Sequence, residues 1–277
     1  MALHRAFVVF LSFFCSSEAF LSSSLLTLDN VTALKTRDHG IITTIGLLQS
    51  TVEYLKENPQ YVEQGSESAL GDFSEFLISA DKPTQVEMFF RLMKSRMRVQ
   101  NVIAEIQSSN VEVNSAPLRN IAAVHFSGEQ FKEGSKRLQQ LKSAVILTLL
   151  KGVKFEHARQ LAGRYLHTLQ DFYSHSNWIE LGYRLSRDNN IPLESVTSNG
   201  NEATCIPCSI AAMESNDDCN ERLITEKLTS GYQEGQNILK PANASKCDHG
   251  GFIDSRTATR GGINKDTASR LWSPHYK

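Results

Sequence analysis

The stretch LHTLQDFYSHSNW, residues 166–178, combines helical periodicity with polar side chains at a regular spacing. His167, Asp171 and His175 recur every four residues, and residues i, i+4 and i+8 of an α-helix drift by only about 80° around the axis. The neighbours of this stripe are large and mostly apolar, namely Leu166, Leu169, Phe172, Tyr173 and Trp178. We therefore expect a helix whose polar stripe faces the protein interior or a cleft.

Two imidazoles and one carboxylate on a single stripe offer the nitrogen and oxygen donors that zinc accepts. The alternative is a solvated helix face, on which His–Asp pairs stabilise the helix by only about a few tenths of a kcal/mol. Burial of an ionised Asp171 without a partner costs several kcal/mol, and a cation supplies that partner. The apolar surroundings therefore favour a metal site at His167, Asp171 and His175.

Two further histidines are candidate ligands. His125 lies in AAVHFSGEQF, where His125, Glu129 and Glu133 repeat the four-residue spacing, although the two glutamates alternatively form a solvated face. His39 directly precedes the first predicted helix and is either a ligand or a capping residue. Weaker expectations apply to three other histidines. We expect His157 to be a surface residue and His275 to lie in the terminal tail. His249 is a loop residue that is either a ligand or without a role.

Helical periodicity extends over much of the chain and predicts a mainly α fold. Apolar residues recur at intervals of three and four, and Thr84 with Glu87 forms a capping box at the start of one helix. The predicted helices cover residues 40–57, 84–107, 120–151 with a break near Gly134, and 153–185. Beyond residue 189 the sequence is rich in Asn, Ser, Gly and Cys. We expect a helical body at residues 20–188 and a disulfide-tied, loop-rich lobe at residues 189–277.

The amino terminus has the features of a secretory signal. His4 and Arg5 precede the apolar run AFVVFLSFFC, and Ser17 and Ala19 place small residues where signal peptidase reads them. The run is shorter than the roughly 20 residues that a membrane helix needs, and no later apolar stretch approaches that length. We therefore expect a secreted chain that begins at Phe20 and has no transmembrane segment.

Cysteine usage agrees with export. Four cysteines remain after the signal segment, and an even number in an oxidising compartment predicts two disulfides of undetermined pairing. The cysteines are Cys205, Cys208, Cys219 and Cys247. The Cys-Ile-Pro-Cys spacing also fits a redox pair or half of a zinc knuckle. Asn30 and Asn243 lie in N-glycosylation sequons.

The amino-acid composition argues against some classes of function. The chain has 277 residues, 40% of them apolar, and a formal net charge of −1. This length and apolar content are enough for a substantial core. The near-neutral charge, without a basic stripe, argues against electrostatic binding of nucleic acid and against a polybasic membrane anchor.

Several motifs together resemble a known family. They are HTLQDFYSHSNWIELG, the upstream AAVHFSGEQF, the Cys-x-x-Cys loop, LTSGY, and KCDHGGFID followed by RGGINKDT. Across nearly the whole mature chain they resemble the amino-terminal region of the von Willebrand factor A domain-containing protein 7 family. The helix motif alone is similar to fungal Het-C proteins. More distantly it resembles the zinc-dependent phospholipase C and single-strand nuclease superfamily, which implies an all-helical fold with a three-zinc cluster.

The distant resemblance implies roles for particular residues. His39 stands where an early histidine binds one zinc, and His125 where a mid-chain histidine binds another. His167 and Asp171 match a His-x-x-x-Asp element whose carboxylate bridges two metals. Asp72, in GDFSEF, is the candidate for a separate aspartate that acts as a ligand and a general base.

The chain also departs from these patterns. The zinc enzymes place their next histidine six residues after the aspartate, whereas His175 follows after four, and their final His-x-x-x-Glu pair has no counterpart; Glu180 is the nearest carboxylate. The amino-terminal tryptophan of the bacterial lipases is replaced by Phe20. We therefore expect one or two metals rather than three. No Asp-x-Ser-x-Ser motif occurs, so we expect no von Willebrand A domain within these residues.

Two functions from different classes follow. The first is a secreted structural or interaction module with a His/Asp metal site and an unidentified extracellular partner. The alternative is a zinc-dependent phosphodiester hydrolase acting on phospholipid or nucleotide, in which zinc lowers the pKa of bound water toward about 7 and Asp72 assists deprotonation. The incomplete ligand set favours the first, because catalysis needs an open coordination position.

Overall fold

The computed structural model describes residues 39–64, 90–91, 93–182, 197–206, 222–250 and 263. Within these residues the fold is mainly helical, as predicted, with helices α1 (His39–Glu57), α2 (Arg96–Glu112), α3 (Phe131–Leu150) and α4 (Phe155–His175). Short 3-10 turns lie at Pro59–Tyr61, Leu118–Asn120 and Ala122–Val124. Two two-residue strands, β1 (Cys205–Ile206) and β2 (Arg222–Leu223), pair in antiparallel fashion.

Helix α4 is the central element. It packs extensively against both α2 and α3, while α1 packs on α2 and also touches α4. A close crossing of α2 and α4 is possible because residue 163 is glycine: a Cβ there would lie 2.3 Å from the carbonyl oxygen of Ile106. The carboxyl-terminal half of α4 is almost entirely buried, including its polar residues. The sequence-based expectation of an interior polar stripe is confirmed.

Two apolar clusters are prominent among the described residues. One joins α1 and α2 and contains Leu48, Val52, Leu55, Val62, Phe90, Met93 and Ile103. The other is largely aromatic and contains Phe126, Phe131, Phe172, Trp178 and Leu228. Full burial of such a side chain stabilises the fold by about 1.5–3 kcal/mol. The first cluster therefore holds α1 against α2, and the second holds α4 against the start of α3 and against the lobe.

The predicted helix at 84–107 has different bounds in the structure. Met93 forms a β-bridge with Val62, and the backbone amide of Lys94 donates to the carbonyl of Tyr61. This pairing holds the backbone in a turn, so α2 begins at Arg96, with Ser95 as its N-cap, and continues to Glu112. Thr84 and Glu87 lie outside the described residues.

The predicted break near Gly134 was wrong, because α3 runs through that residue without interruption. The chain is irregular just before the helix, where Phe126, Gly128 and Glu129 adopt positive φ angles of 51°, 59° and 59°. Gly134 is needed for packing: a Cβ there would lie 2.6 Å from the Phe126 ring. His125 and Glu129 consequently do not share a helix face with Glu133.

Helix α4 ends at His175, ten residues before the predicted end at 185. Ser176 is extended and forms a β-bridge with Ser230. Asn177 continues this contact, because its backbone amide donates to the carbonyl of Thr229 and its side-chain oxygen accepts from the Thr229 amide. The pairing partner that ends the helix comes from a distant part of the chain.

The described residues from 197 onward, namely 197–206, 222–250 and 263, form a loop-rich lobe as the sequence predicts. A disulfide joins Cys205 to Cys247 across 42 residues, which confirms one of the two expected disulfides. Cys208 and Cys219 lie outside the described residues. None of the helices that the structure describes has the length and apolar character needed to cross a membrane.

Candidate metal centre

The structure brings together five of the histidine and aspartate residues that the sequence analysis selected as candidate ligands. His167, Asp171 and His175 lie one turn apart on the buried face of α4. His39 comes from the first turn of α1, and His125 follows the 3-10 turn at Ala122–Val124. Every one of these side chains is buried, with Asp171 only 1% exposed.

The Asp171 carboxylate is the centre of the cluster. Its Oδ1 lies 3.3 Å from His39 Nε2 and 3.8 Å from His175 Nε2, and its Oδ2 lies 3.1 Å from His167 Nε2. Two donors bound to one tetrahedral zinc at about 2.0–2.1 Å are about 3.3 Å apart. The spacings of His39 and His167 from the carboxylate therefore suit a shared metal ion.

The opposite nitrogen of each of these three rings faces an oxygen acceptor. The Nδ1 contacts are 2.8 Å for His39 with Gln170 Oε1, 3.2 Å for His167 with Asn110 Oδ1, and 2.7 Å for His175 with the carbonyl of His125. Because an amide or carbonyl oxygen only accepts, each Nδ1 carries the proton and each Nε2 keeps its lone pair. Three lone pairs thus point toward one carboxylate.

A buried network fixes the orientation of the two supporting amides. The nitrogens of Asn110 and Gln170 each donate to Thr43 Oγ1 at 3.0 Å, and Asn110 also donates to Gln170 Oε1 at 3.0 Å. The amide oxygens are thereby left to accept from the histidines. Hydrogen-bonded support of this kind is usual behind metal-binding imidazoles, since it sets the tautomer and the ring orientation.

His125 interacts with Asp171 differently. Its Nδ1 lies 2.6 Å from Asp171 Oδ2, and its Nε2 lies 3.3 Å from the carbonyl oxygen of Leu118. Both ring nitrogens lie near oxygen acceptors, and the Asp171 carboxylate is the closer of the two. This geometry makes His125 a residue that orients the carboxylate.

Electrostatics keep the Asp171 carboxyl ionised. Burial by itself raises its pKa, but attraction to His167, His175 and His39 when those rings are protonated, and the hydrogen bond from His125, hold the pKa well below its usual value. The pKa of His167 is lowered, because burial outweighs the attraction of Asp171. An anionic Asp171 beside a neutral His167 is the protonation state that a metal ion requires.

The structure also tests the weaker expectations. Glu129 was wrongly expected on a solvated face: its side chain is 8% exposed and its Oε2 lies 2.8 Å from Lys246 Nζ. Glu133 and His157 are exposed, as expected. His249 is buried and its ring meets His175 edge-on, with centroids 4.5 Å apart.

Other selected residues lie away from the cluster or outside the described residues. Glu180 is half-buried beyond the end of α4, and Asn243 is exposed in the lobe. Asp72, Asn30 and His275 lie outside the described residues.

Sequence reasoning missed the residues that hold the histidines in place. Gln170 had a detectable signal, because it is a polar residue beside Asp171 among the apolar Leu166, Leu169 and Phe172. Thr43 and Asn110 had none, since their partners lie 127 and 57 residues away along the chain. Only the tertiary packing of α1 and α2 on α4 brings them to the site.

The fold and the cluster define a class: a mainly α-helical module with an interior His/Asp cluster and a disulfide-tied lobe. The chain belongs to the VWA7 N-terminal domain family, whose model matches residues 82–277. It is 34% identical over 190 residues to von Willebrand factor A domain-containing protein 7 of Mus musculus and 36% identical over 193 residues to that of Homo sapiens. Each alignment covers 66% of this chain and 20% of the relative, so the chain spans about a fifth of their length. No solved structure matches the chain.

Proposed function

We propose that the protein is a secreted module in which His39, His167 and Asp171 hold one divalent transition metal in a structural role. These three residues offer ligand atoms that all lie within 4.8 Å of one another. The convergence of imidazole lone pairs on one buried carboxylate supports the proposal most directly. The mixed nitrogen and oxygen donor set favours zinc.

Protonation of the three rings would stabilise the buried Asp171 carboxylate less well than a bound metal ion does. If each ring donated to Asp171 through Nε2, His39, His167 and His175 would all be buried imidazolium ions, because their Nδ1 atoms already donate elsewhere. The stacked rings of His39 and His167, with centroids 4.2 Å apart, would then both be positive. Such repulsion at low dielectric is unfavourable. One divalent cation pairs with the carboxylate and leaves these three rings neutral, so that only the metal carries positive charge among them.

Burial supports a structural role over the hydrolase alternative. His39, His167 and Asp171 are 3%, 0% and 1% exposed, and the buried His175, whose Nε2 lies 3.8 Å from Asp171 Oδ1, can supply a fourth ligand, whereas a catalytic zinc keeps one position open to water or substrate. A cleft of about 460 Å³ beside Asn114 and Arg119 is lined by none of the cluster's side chains. We therefore expect the metal to stabilise the packing of α1 against α4.

Metal content tests this proposal. Protein purified without an affinity-metal step should contain close to one equivalent of zinc by plasma mass spectrometry. His167→Ala and Asp171→Ala should lose both the metal and thermal stability, while His157→Ala, an exposed control, should lose neither. A content below about 0.2 equivalents, where a structural site of about 10 kcal/mol or more stays filled, would contradict the proposal.

An assay for hydrolysis separates the two functions. A phosphodiesterase screen with phospholipid and nucleotide esters should show no turnover above that of Asp171→Ala. Chelator-sensitive hydrolysis by the parent that is absent from Asp171→Ala would assign the chain to the zinc-dependent hydrolases instead.

Secretion is supported by the Cys205–Cys247 disulfide, which forms in an oxidising compartment, and by the exposure of the sequon residue Asn243. Chain expressed in mammalian cells should appear in the medium, begin at Phe20 and lose mass on glycosidase treatment. No free thiol should react before reduction, because we propose a second disulfide between the two remaining cysteines. Retention in the cytosol with Met1 intact would contradict secretion.

A further inference from the structure

The turn between α3 and α4 concentrates the exposed apolar surface of the described residues. Four large apolar side chains lie within nine consecutive positions and are at least half exposed: Leu147 at 58%, Leu150 at 72%, Val153 at 57% and Phe155 at 50%. Scattered single apolar residues are ordinary on a protein surface, but a contiguous group marks an interaction site. We refer to residues 147–155 as the apolar tip.

The backbone makes the tip a convex projection. Gly152 has a φ of 66° and Lys154 a φ of 58°, and these two left-handed residues reverse the chain where α3 ends and α4 begins. A Cβ on Gly152 would meet no atom of the described part of the chain within 4 Å, so none of those residues covers the turn. The tip therefore projects from the protein and can enter a lipid bilayer or a groove of a partner. It does not form a groove itself.

The charges at the tip identify the kind of surface it fits. Lys151 and Lys154 are exposed on either side of Gly152, among the apolar side chains, and with the exposed Glu156 next to Phe155 they leave a net charge of +1. Long cationic side chains beside exposed leucine, valine and phenylalanine match the boundary of an anionic bilayer, where headgroups meet acyl chains. Each lysine near such a surface contributes a favourable interaction with anionic lipid.

We propose that the apolar tip inserts into the interface of membranes that carry anionic lipid and attaches the module peripherally. Leu150 and Val153 enter the acyl boundary, while Lys151 and Lys154 contact the phosphate and carboxylate groups above it. The His/Asp cluster is separate from this surface. Asp171 lies sixteen residues along α4 from Phe155, or about 24 Å at 1.5 Å per residue.

Vesicle flotation tests the proposal with the full mature chain. Parent protein should float with vesicles of phosphatidylcholine mixed with phosphatidylserine, and bind less to phosphatidylcholine alone. Lys151→Ala/Lys154→Ala should weaken partitioning to the mixed vesicles by about 25-fold, which is two charges at about 1 kcal/mol each converted at about 1.4 kcal/mol per tenfold. Leu150→Asp should abolish flotation with both kinds of vesicle.

A matched control guards against a general effect of new charge. Leu239 is 87% exposed outside the tip, so Leu239→Asp should float like the parent. Equal flotation of Leu150→Asp and the parent, or no flotation of the parent, would overturn the proposal. A parent that self-associates without lipid, and becomes monomeric as Leu150→Asp, would assign the tip to a second copy and overturn it too. The zinc content of the tip variants should equal that of the parent. A loss of flotation in these variants can then be distinguished from a loss of metal.

Discussion

At the residue scale, the behaviour of Asp171 depends on which nitrogen of each surrounding ring faces it. The Nδ1 atoms of His39 and His167 are directed to the oxygens of Gln170 and Asn110. The Nε2 atoms therefore face the carboxylate. The supporting amides thus determine whether the imidazoles can act as ligands.

Gln170 provides a direct test of this dependence. Gln170→Leu removes the acceptor for His39 Nδ1, so metal affinity should fall by about 10–100-fold, as for other residues behind metal ligands. Gln170→Glu keeps an acceptor toward His39 and should retain more affinity than Gln170→Leu. Competition with a chromophoric chelator measures both constants. Gln140→Leu, an exposed change on α3, should leave affinity unaltered, and an equal loss in that variant would contradict the assignment.

The sequence could reveal the α4 part of this site but not its surroundings. His167, Asp171 and His175 belong to one helix, whose periodicity places them on one stripe. The positions of His39 and His125 depended on family resemblance, because no local spacing links them to α4. Thr43 and Asn110 had neither signal.

Gly163 lies where α2 and α4 cross, and its lack of a side chain lets the two helices approach each other. Gly163→Ala would place a Cβ 2.3 Å from the carbonyl oxygen of Ile106, so α2 and α4 would have to separate. We expect a loss of about 1–3 kcal/mol in the free energy of unfolding, as for other overpacked cores. Urea denaturation measures it. Gly200→Ala, where no atom lies within 4 Å of the added Cβ, should change stability much less; similar losses in both would argue against the crossing.

At the scale of elements, the lobe is attached to the helical body by a buried ion pair. Lys246 Nζ donates to Glu129 Oε2 and to the carbonyl of Asn199, both at 2.8 Å. The other carboxylate oxygen accepts from Ser198 and Thr229. Glu129 precedes α3, whereas its partners belong to the lobe. This contact joins the two parts next to the Cys205–Cys247 disulfide.

Breaking that pair should be costly. Lys246→Met leaves the Glu129 carboxylate buried without its cation, and we expect a loss of about 3–5 kcal/mol in unfolding free energy. Glu129→Gln/Lys246→Met should lose less than the sum of the single changes, because no charge is then left unpaired. Lys227→Met breaks an exposed pair with Glu202 and should cost about 1 kcal/mol or less. Urea denaturation of the parent, Glu129→Gln, Lys246→Met, the double variant and Lys227→Met decides the matter, and strict additivity would argue against the coupling.

Element types were predictable from sequence, whereas element ends were not. The periodicity of α1 gave a helix within one residue of the observed His39–Glu57. By contrast, α2 begins late because Met93 pairs with Val62, and α4 ends early because Ser176 pairs with Ser230. These pairings are long-range, so no local pattern signals them.

Across the whole molecule, packing raises the pKa of two tyrosines, so both phenols are weaker acids than usual. Burial raises the pKa of Tyr165, with a smaller effect from Tyr173, and burial followed by the nearby Glu129 raises the pKa of Tyr232. The two residues lie in different parts of the fold, one in α4 and one in the lobe. Their titration therefore reports on the integrity of both parts at once.

Alkaline pH should destabilise the protein through these residues. In the unfolded chain both phenols ionise near the ordinary pKa of 10.0, while in the folded protein they stay protonated. The folded state thus binds more protons above pH 10, and its stability, fully present below that pH, falls as pH rises. The slope approaches about 1.4 kcal/mol per pH unit for each tyrosine. Tyr165→Phe/Tyr232→Phe should flatten the profile measured by urea denaturation between about pH 9 and 11. Tyr54→Phe/Tyr61→Phe, which changes two half-exposed residues, should retain the parent slope, because water surrounds those side chains in both states. A parent profile that is flat across this range would show that neither buried phenol resists ionisation.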